Sequence, residues 1–240
     1  MISYEQVVSM WRSGTHPNVF SGRLLYLMAS ESAQIENINI DYHTTKELFE
    51  TSFISEYTGD LRDLFSTMNN RQLADFYNRS LETGQKVTPW FIKESHKILL
   101  RGSIDKHRYH DNGERAGEYK RHDYAVGVND VGSFPEHVED DINWLCNFLE
   151  SKSASDTLKR ATFLHCLFEN IHPFSDGNGR VGRWLMNYML VSENHPPIVI
   201  FRADREEYYK ALEIFDTKED LETMRKFLEK QTVKTWAVLV

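Results

Sequence analysis

Residues 172–183 read HPFSDGNGRVGR and lie between two strongly apolar helical runs, about 157–171 and 180–192. A chain built this way must bury both helices and still present the polar loop between them at a surface. Pro173 disfavours the helical region for His172 and predicts an extended residue at the helix end, with a ring able to act as a base near neutral pH. Gly177 and Gly179 permit close backbone approach, and the loop opens directly into a helix whose first amides have no partners. Such a start is a ready anion site. Arg180 and Arg183, one turn apart, add guanidinium forks suited to phosphate oxygens. Asp176 among them suits a magnesium ion bridging those phosphates. A base, a hard-cation carboxylate and a phosphate cradle together point to chemistry at a nucleotide phosphorus. No G-x-x-x-x-G-K-[ST] follows a strand, so this is not a Walker loop.

The rest of the chain reads as helices. In SGRLLYLMASESAQIEN, Leu24, Leu25, Met28 and Ile35 share one helical face, and Asn37 suits the left-handed position just beyond the helix end. Helices are expected over 46–54, 58–68 and 71–83, and after Thr88-Pro89, a cap residue followed by a first-turn proline. Residues 102–117 read as a polar loop. Tyr119, Tyr124, Val126, Val128 and Val131, with glycines at 127 and 132, predict a short β-hairpin. Helix resumes at Pro135, and HPPIVIF after residue 194 is a brief extended segment. Two further helices, beginning at about Asp204 and Lys218, close the sequence. No internal repeat or linker interrupts it, and one mostly helical domain spanning 1–240 is the economical reading.

Composition narrows the partners. The net charge of -8 argues against broad nucleic-acid binding, which needs a basic face. The first residues lack the basic-then-apolar layout of a signal peptide, and no apolar run approaches the roughly 18 residues of a membrane span. Cys146 and Cys166 fall in apolar helical runs and read as reduced, buried thiols. A cytoplasmic protein is the expectation.

The stretch HPFSDGNGRVGR resembles the H-x-F-x-[DE]-G-N-G-R-x-x-R signature of the Fic family of protein-modifying enzymes, and every specified position is matched. At roughly one in twenty per residue, a chance match to the specified positions is on the order of 10⁻¹⁰ per start site. The resemblance covers about residues 90–220. It implies a mainly α fold with a β-hairpin flap, at about 118–132, beside the active-site loop, within a core at about 88–220. It also implies transfer of AMP from ATP to a hydroxyl of a target protein. By that likeness His172 would deprotonate the attacking serine, threonine or tyrosine, and Asp176 would bind magnesium. Gly177, Asn178 and Gly179 would hold the α- and β-phosphates, Arg180 would add contacts, and Val181 and Gly182 would belong to the same nucleotide-binding stretch. Arg183 would grip the γ-phosphate, and Phe174 would anchor the loop in the core.

The resemblance extends beyond the motif. Tyr124, Ala125, Val126 and Gly127 fall where the family's flap pairs with the target's extended backbone. Tyr119-Lys120 stands where many relatives carry Tyr-Arg. Tyr208 and Tyr209 resemble the tyrosines of the adenine pocket, with ordinary helix packing as the alternative. Asp216 stands where relatives often have asparagine, which leaves adenine specificity open. At the front, SAQIEN resembles the family's [ST]-x-x-x-E-[GN] inhibitory motif. Helical spacing puts Ser32 and Glu36 on one face of a helix at about 22–37. The likeness implies that Glu36 pairs with Arg183 and occupies the place of the γ-phosphate.

Other features read more simply. DKHRYHD at 105–111 reads as a solvated loop before a metal site, His165 as a satisfied core histidine, and EDD at 139–141 as a solvated helix face. The expected partners are ATP, magnesium and a target protein bearing a hydroxyl, with self-modification and an oligomer both open. Neither nucleic acid nor membrane is expected. Transfer of UMP or phosphocholine, removal of AMP, and a nucleotide-binding module without turnover stay open as alternatives.

Overall fold

A computed structural model describes residues 2–54, 57–124, 132–151 and 156–239. Eleven α-helices are present among them: α1 Tyr4–Ser13, α2 Gly22–Ile35, α3 Tyr42–Thr51, α4 Leu61–Glu82, α5 Pro89–Leu99, α6 Lys106–His110, α7 Val138–Ser151, α8 Thr157–Ile171, α9 Asn178–Ser192, α10 Arg205–Lys218 and α11 Leu221–Leu239. None is long and apolar enough to cross a membrane.

The two helices around the motif form the centre. α9 is buried almost all round, through Val181, Trp184, Leu185, Met186 and Leu190, as a central core helix must be. α8 packs along it, with Leu164, Cys166 and Phe168 at 0% exposure. On the other side an aromatic cluster joins α4, α5 and α9. The Tyr77 and Tyr188 rings are 4.9 Å apart, Phe91 and Tyr188 4.5 Å, and Tyr77 and Trp184 5.4 Å, spacings that favour edge-on and tilted rings. The Trp184 indole N–H donates to Asn70 Oδ1 at 2.8 Å. Both cysteines are free and buried.

Local chemistry sets several helix ends. Thr88 Oγ1 accepts from Phe91 N–H at 3.2 Å, with Pro89 in the first turn. Asn37 takes φ 60° just after α2.

Three expectations are corrected. The break expected between 68 and 71 is absent, and α4 runs through it. The amides of Asn69 and Asn70 turn inward: Asn69 Nδ2 donates to Leu99 O and Arg101 O at 3.0 and 2.8 Å, and Asn70 Nδ2 to Ser66 O at 2.8 Å. Asn69 thus satisfies carbonyls at the end of α5, while Asn70 bonds back one turn within α4 and accepts from Trp184. The 102–117 segment contains α6, because Asp105 caps it by accepting from the His107 and Arg108 amides.

The β-hairpin is the third. No β-strand occurs among the described residues, and 118–124 and 132–134 run as bends and irregular backbone. Ladder donors there are taken by other groups: Lys120 N–H donates to Pro173 O, and Arg121 N–H to the buried Glu114 carboxylate. Of the residues assigned to a flap, Ala125, Val126 and Gly127 lie outside the described residues. Tyr124 donates its hydroxyl to Glu114 Oε1 at 2.9 Å. The segment 195–201 before α10 runs without helix or ladder. Ile198 and Val199 donate to Asn187 Oδ1 and Thr235 Oγ1, side chains that replace a ladder.

Candidate active site

His172 caps the C-terminus of α8 with φ 50° and ψ 61°, a left-handed residue and not the extended one expected. Its N–H still bonds Phe168 O at 3.0 Å, so it closes the last helical turn before proline reverses the chain. Lys120 N–H to Pro173 O and Ser133 N–H to Ile171 O, each 2.9 Å, brace it from two sides. Burial, then the nearby Lys120 ammonium, hold the imidazole down to about 4 against the pull of the Glu169 backbone. It is therefore neutral at pH 7 and able to accept a proton.

The loop after it is pinned from inside. Phe174 is at 0% exposure and stacks on the His96 ring, centroids 3.7 Å apart. Asn178 Oδ1 accepts from Phe174 N–H at 2.9 Å while Nδ2 donates to Phe174 O at 2.7 Å. The Asn178 side chain thus holds the loop shut and is not free for a phosphate. His96 supplies a second clamp. Gly117 N–H donates to its Nδ1 at 2.8 Å, which assigns the proton to Nε2, where it donates to Asp176 O at 3.1 Å. Arg108 Nη1 donates to Ser175 O.

α9 begins at Gly177, which has φ 74° and no capping side chain. A Cβ there would come 2.6 Å from Leu100, so only glycine fits. The first intrahelical bond is Val181 N–H to Gly177 O, which leaves the amides of Asn178, Gly179 and Arg180 pointing outward as an anion cradle. Val181 is core, and Gly182 lets α9 lie against Glu169 and Phe168.

The two arginines are both buried but differently used. Arg180 donates to Ser66 Oγ at 2.7 Å and to Asp176 Oδ1 at 3.2 Å. Arg183 donates through Nε to Ser32 Oγ (2.9 Å) and through Nη2 to Ser32 O (3.2 Å) and Glu36 Oε1 (2.7 Å). Its Nη1 approaches the Tyr208 hydroxyl at 3.5 Å. Burial opposes charge on both members of the Glu36–Arg183 pair, yet their attraction lowers the carboxyl and raises the guanidinium. A Cβ on Gly179 would overlap the Glu36 carboxylate. The inhibitory candidate therefore sits directly over the start of α9.

A cavity of about 490 Å³ is lined by His172, residues 175–180, Glu36, Arg62, Asp63, Ser66, Arg108 and Tyr124. That volume is ordinary for a small-molecule site. Arg183 is not on its wall; Glu36, which bonds Arg183, is. Neither Tyr208 nor Tyr209 lines it. Tyr208 is at 1% exposure with its hydroxyl 2.9 Å from His165 Nε2, and Tyr209 is exposed beside Arg205. Asp216 accepts from Asn170 Nδ2 at 2.9 Å. The Asp176 side chain is 32% exposed, with Asp63 on the same cavity. No cluster of three or more metal-ligating side chains occurs among the described residues. One or two carboxylates awaiting substrate phosphates is a donor set that fits magnesium.

Sequence reasoning passed over His96, Arg108, Glu114 and Glu169, the last a carboxyl that burial pushes up to about 8. For His96 and Glu169 the signal was a polar residue within an apolar helix; Arg108, on a short helix without a buried face, and Glu114, in a loop, gave none. His165 is a core residue, as expected, but its Nδ1 has no hydrogen-bond partner.

Comparison with known proteins gives a consistent result. Residues 86–190 match the model of the Fic/DOC family. The protein adenylyltransferase Fic of Aedes aegypti is 31% identical over 154 residues, covering 62% of this chain and 30% of that protein. The protein of the same name from Drosophila willistoni is 29% identical over 211 residues, covering 85% of this chain and 39% of that one. The chain thus spans well under half the length of these curated relatives. Among solved structures, a Fic domain containing signaling protein from Bacteroides thetaiotaomicron superposes with a TM-score of 0.81 at 22% identity, over 98% of this chain and 94% of that one. Fic-1 from C. elegans gives 0.82 at 22% identity, over 98% and 69%. At such identities the structures speak for the fold, while the matched motif and family segment speak for descent. Residues 86–190, with the complete motif inside them, thus form a Fic/DOC-family domain.

Proposed function

We propose that this chain transfers AMP from ATP to a serine, threonine or tyrosine hydroxyl of a target protein, and that Glu36 restrains the reaction by occupying Arg183. The observation that carries the reading is that a neutral His172 and the unpaired amides of α9 share one cavity. The names of the curated relatives support the same reaction type.

The target hydroxyl attacks the α-phosphorus, His172 takes its proton, and the bond from phosphorus to the pyrophosphate oxygen breaks. The Asn178–Arg180 amides and Arg180 hold phosphate oxygens in line, so positioning and charge neutralisation do most of the work. Asp176 would hold magnesium, whose charge further neutralises the phosphates. Phe174, Asn178 and His96 keep the loop in the one shape in which these groups converge.

Ser32 and Glu36, at the end of α2, engage the guanidinium that the γ-phosphate needs. Two anions cannot share that fork, so nucleotide and Glu36 exclude each other at Arg183. The test is a transfer assay with ATP labelled at the α- or the γ-phosphate, on the native chain, Glu36→Gly and Glu36→Gly/His172→Ala. Label passing only from the α-position, raised in Glu36→Gly and reduced about 10²–10⁴-fold without His172, supports the reading. Transfer from the γ-position makes the protein a kinase and overturns it, and so does equal activity without His172.

A further inference from the structure

Lys120 lies in the irregular backbone after α6, tied by its N–H to Pro173 O. Its side chain turns inward. The residue is 2% exposed, and Nζ has no hydrogen-bond partner among the described residues. An ammonium carries three donors, and removing it from water without an acceptor is among the costlier arrangements a fold can hold. Buried polar groups left unpaired call for an explanation.

Its position beside His172, though not on the wall of the cavity itself, supplies one. A Cβ on Gly132 would lie 3.1 Å from Lys120 Nζ and 3.6 Å from His172 Cβ, so ammonium and histidine converge on a residue without a side chain. Among the charged groups acting on the His172 imidazole, Lys120 acts most strongly, ahead of Glu36 and Arg108. Asp123 and Glu114 are the carboxylates that act on the ammonium. Neither bonds it, and Glu114 is occupied by Arg121 N–H, His122 and the Tyr124 hydroxyl. Lys120 is attached at the His172–Pro173 end of the loop, whereas the α9 amides and Arg183 serve the other end. In the proposed transfer, the phosphorus nearest the base is the one under attack.

We propose that the Lys120 ammonium is an anion contact at the reaction centre, donating to a non-bridging oxygen of the α-phosphoryl group as it passes to the target. The inference rests on the adenylyl-transfer reading. Lys120 makes and breaks no covalent bond: the oxygen–phosphorus bond to the target forms, the bond to pyrophosphate breaks, and the proton goes to His172. The stored cost of a buried cation is released only when the phosphate arrives.

AMP tests this directly, because its only phosphate is the α-phosphate. Calorimetric titration with AMP would compare Glu36→Gly with Glu36→Gly/Lys120→Met and Glu36→Gly/Lys120→Arg, alongside melting temperatures and α-label transfer. The methionine variant is expected to bind AMP about tenfold more weakly, to lose about 10²-fold in kcat as when one oxyanion donor is removed, and to melt higher because a buried unpaired charge is gone. Arginine should restore much of the affinity. Unchanged AMP affinity in the methionine variant overturns the contact, as does absence of any AMP binding by the parent. A lower melting point in methionine with a loss that arginine fails to rescue marks a structural lysine and also overturns it. If the parent transfers no α-label yet methionine still weakens AMP, the contact stands and the adenylyl-transfer reading falls.

Discussion

Asn178→Ala is expected to destabilise the fold by removing both bonds that hold the loop shut. The side chain makes two bonds to one residue, accepting from Phe174 N–H and donating to Phe174 O, with Asn178 at 2% and Phe174 at 0% exposure. Alanine leaves both backbone groups unpaired where water does not reach, at about 1–3 kcal/mol each. Because Asp176 opens part of the loop to the cavity, the lower half of that range applies, about 2–4 kcal/mol in total. For a chain of this size that lowers the melting temperature by roughly 4–16 °C. Asn178→Asp keeps the acceptor for Phe174 N–H and places a negative charge at the start of α9, worth about 0.3–1 kcal/mol. Its loss should be smaller, while its charge repels phosphate. Calorimetry on the three proteins, with ATP affinity measured beside it, separates the effects: alanine melts lowest, and aspartate melts between but binds ATP worst relative to its stability. Alanine melting within about 1 °C of the native protein, or aspartate losing as much as alanine, would refute the clamp.

Burial holds His96, His165 and His195 down to about 4, 3 and 4. Above their ordinary value of 6.5 both states are neutral; below it the unfolded chain takes up protons the fold refuses. Stability should therefore fall as pH drops from about 6.5 to 4, by up to about 1.4 kcal/mol per unit for each histidine, and urea midpoints independent of pH across that window would contradict this. Glu169 has the opposite sign: burial raises its folded carboxyl to about 8, so stability is lost as pH climbs from 4.5 to 8. Glu169→Gln should gain over the native protein at pH 8 and not at pH 4.5. Equal differences at both values would show that the carboxyl ionises freely in the fold.

The loop and its two helices were legible because their residue types are specific, glycines where Cβ atoms collide and arginines one turn apart, whereas Asn178, expected on the phosphates, bridges the Phe174 backbone. The resemblance of SAQIEN to the family's inhibitory motif pointed to Ser32 and Glu36, which both bond Arg183. What could not be read arises from pairing across distance. His96 bonds Asp176 eighty residues away in sequence, and Lys120 meets the base through backbone that no periodicity announces. Asn69 and Asn70 looked like a helix break because their side chains usually compete with the backbone, and here distant carbonyls absorb Asn69 while Trp184 engages Asn70. The alternation through Tyr119 and Tyr124 suggested a hairpin, yet Glu114 and Pro173 take up the donors a ladder would need. His172 shows the same limit at one residue, since proline excluded the helical region without choosing between extended and left-handed backbone.

The central claim is that one guanidinium serves two anions, and paired titrations with ATP and ADP test it most directly. Only ATP brings a γ-phosphate to Arg183. Glu36→Gly should therefore raise ATP affinity about tenfold or more over the native chain, a gain of at least about 1.4 kcal/mol, while ADP affinity changes far less. If both nucleotides gain equally, or neither gains, Glu36 does not stand in the place of the γ-phosphate.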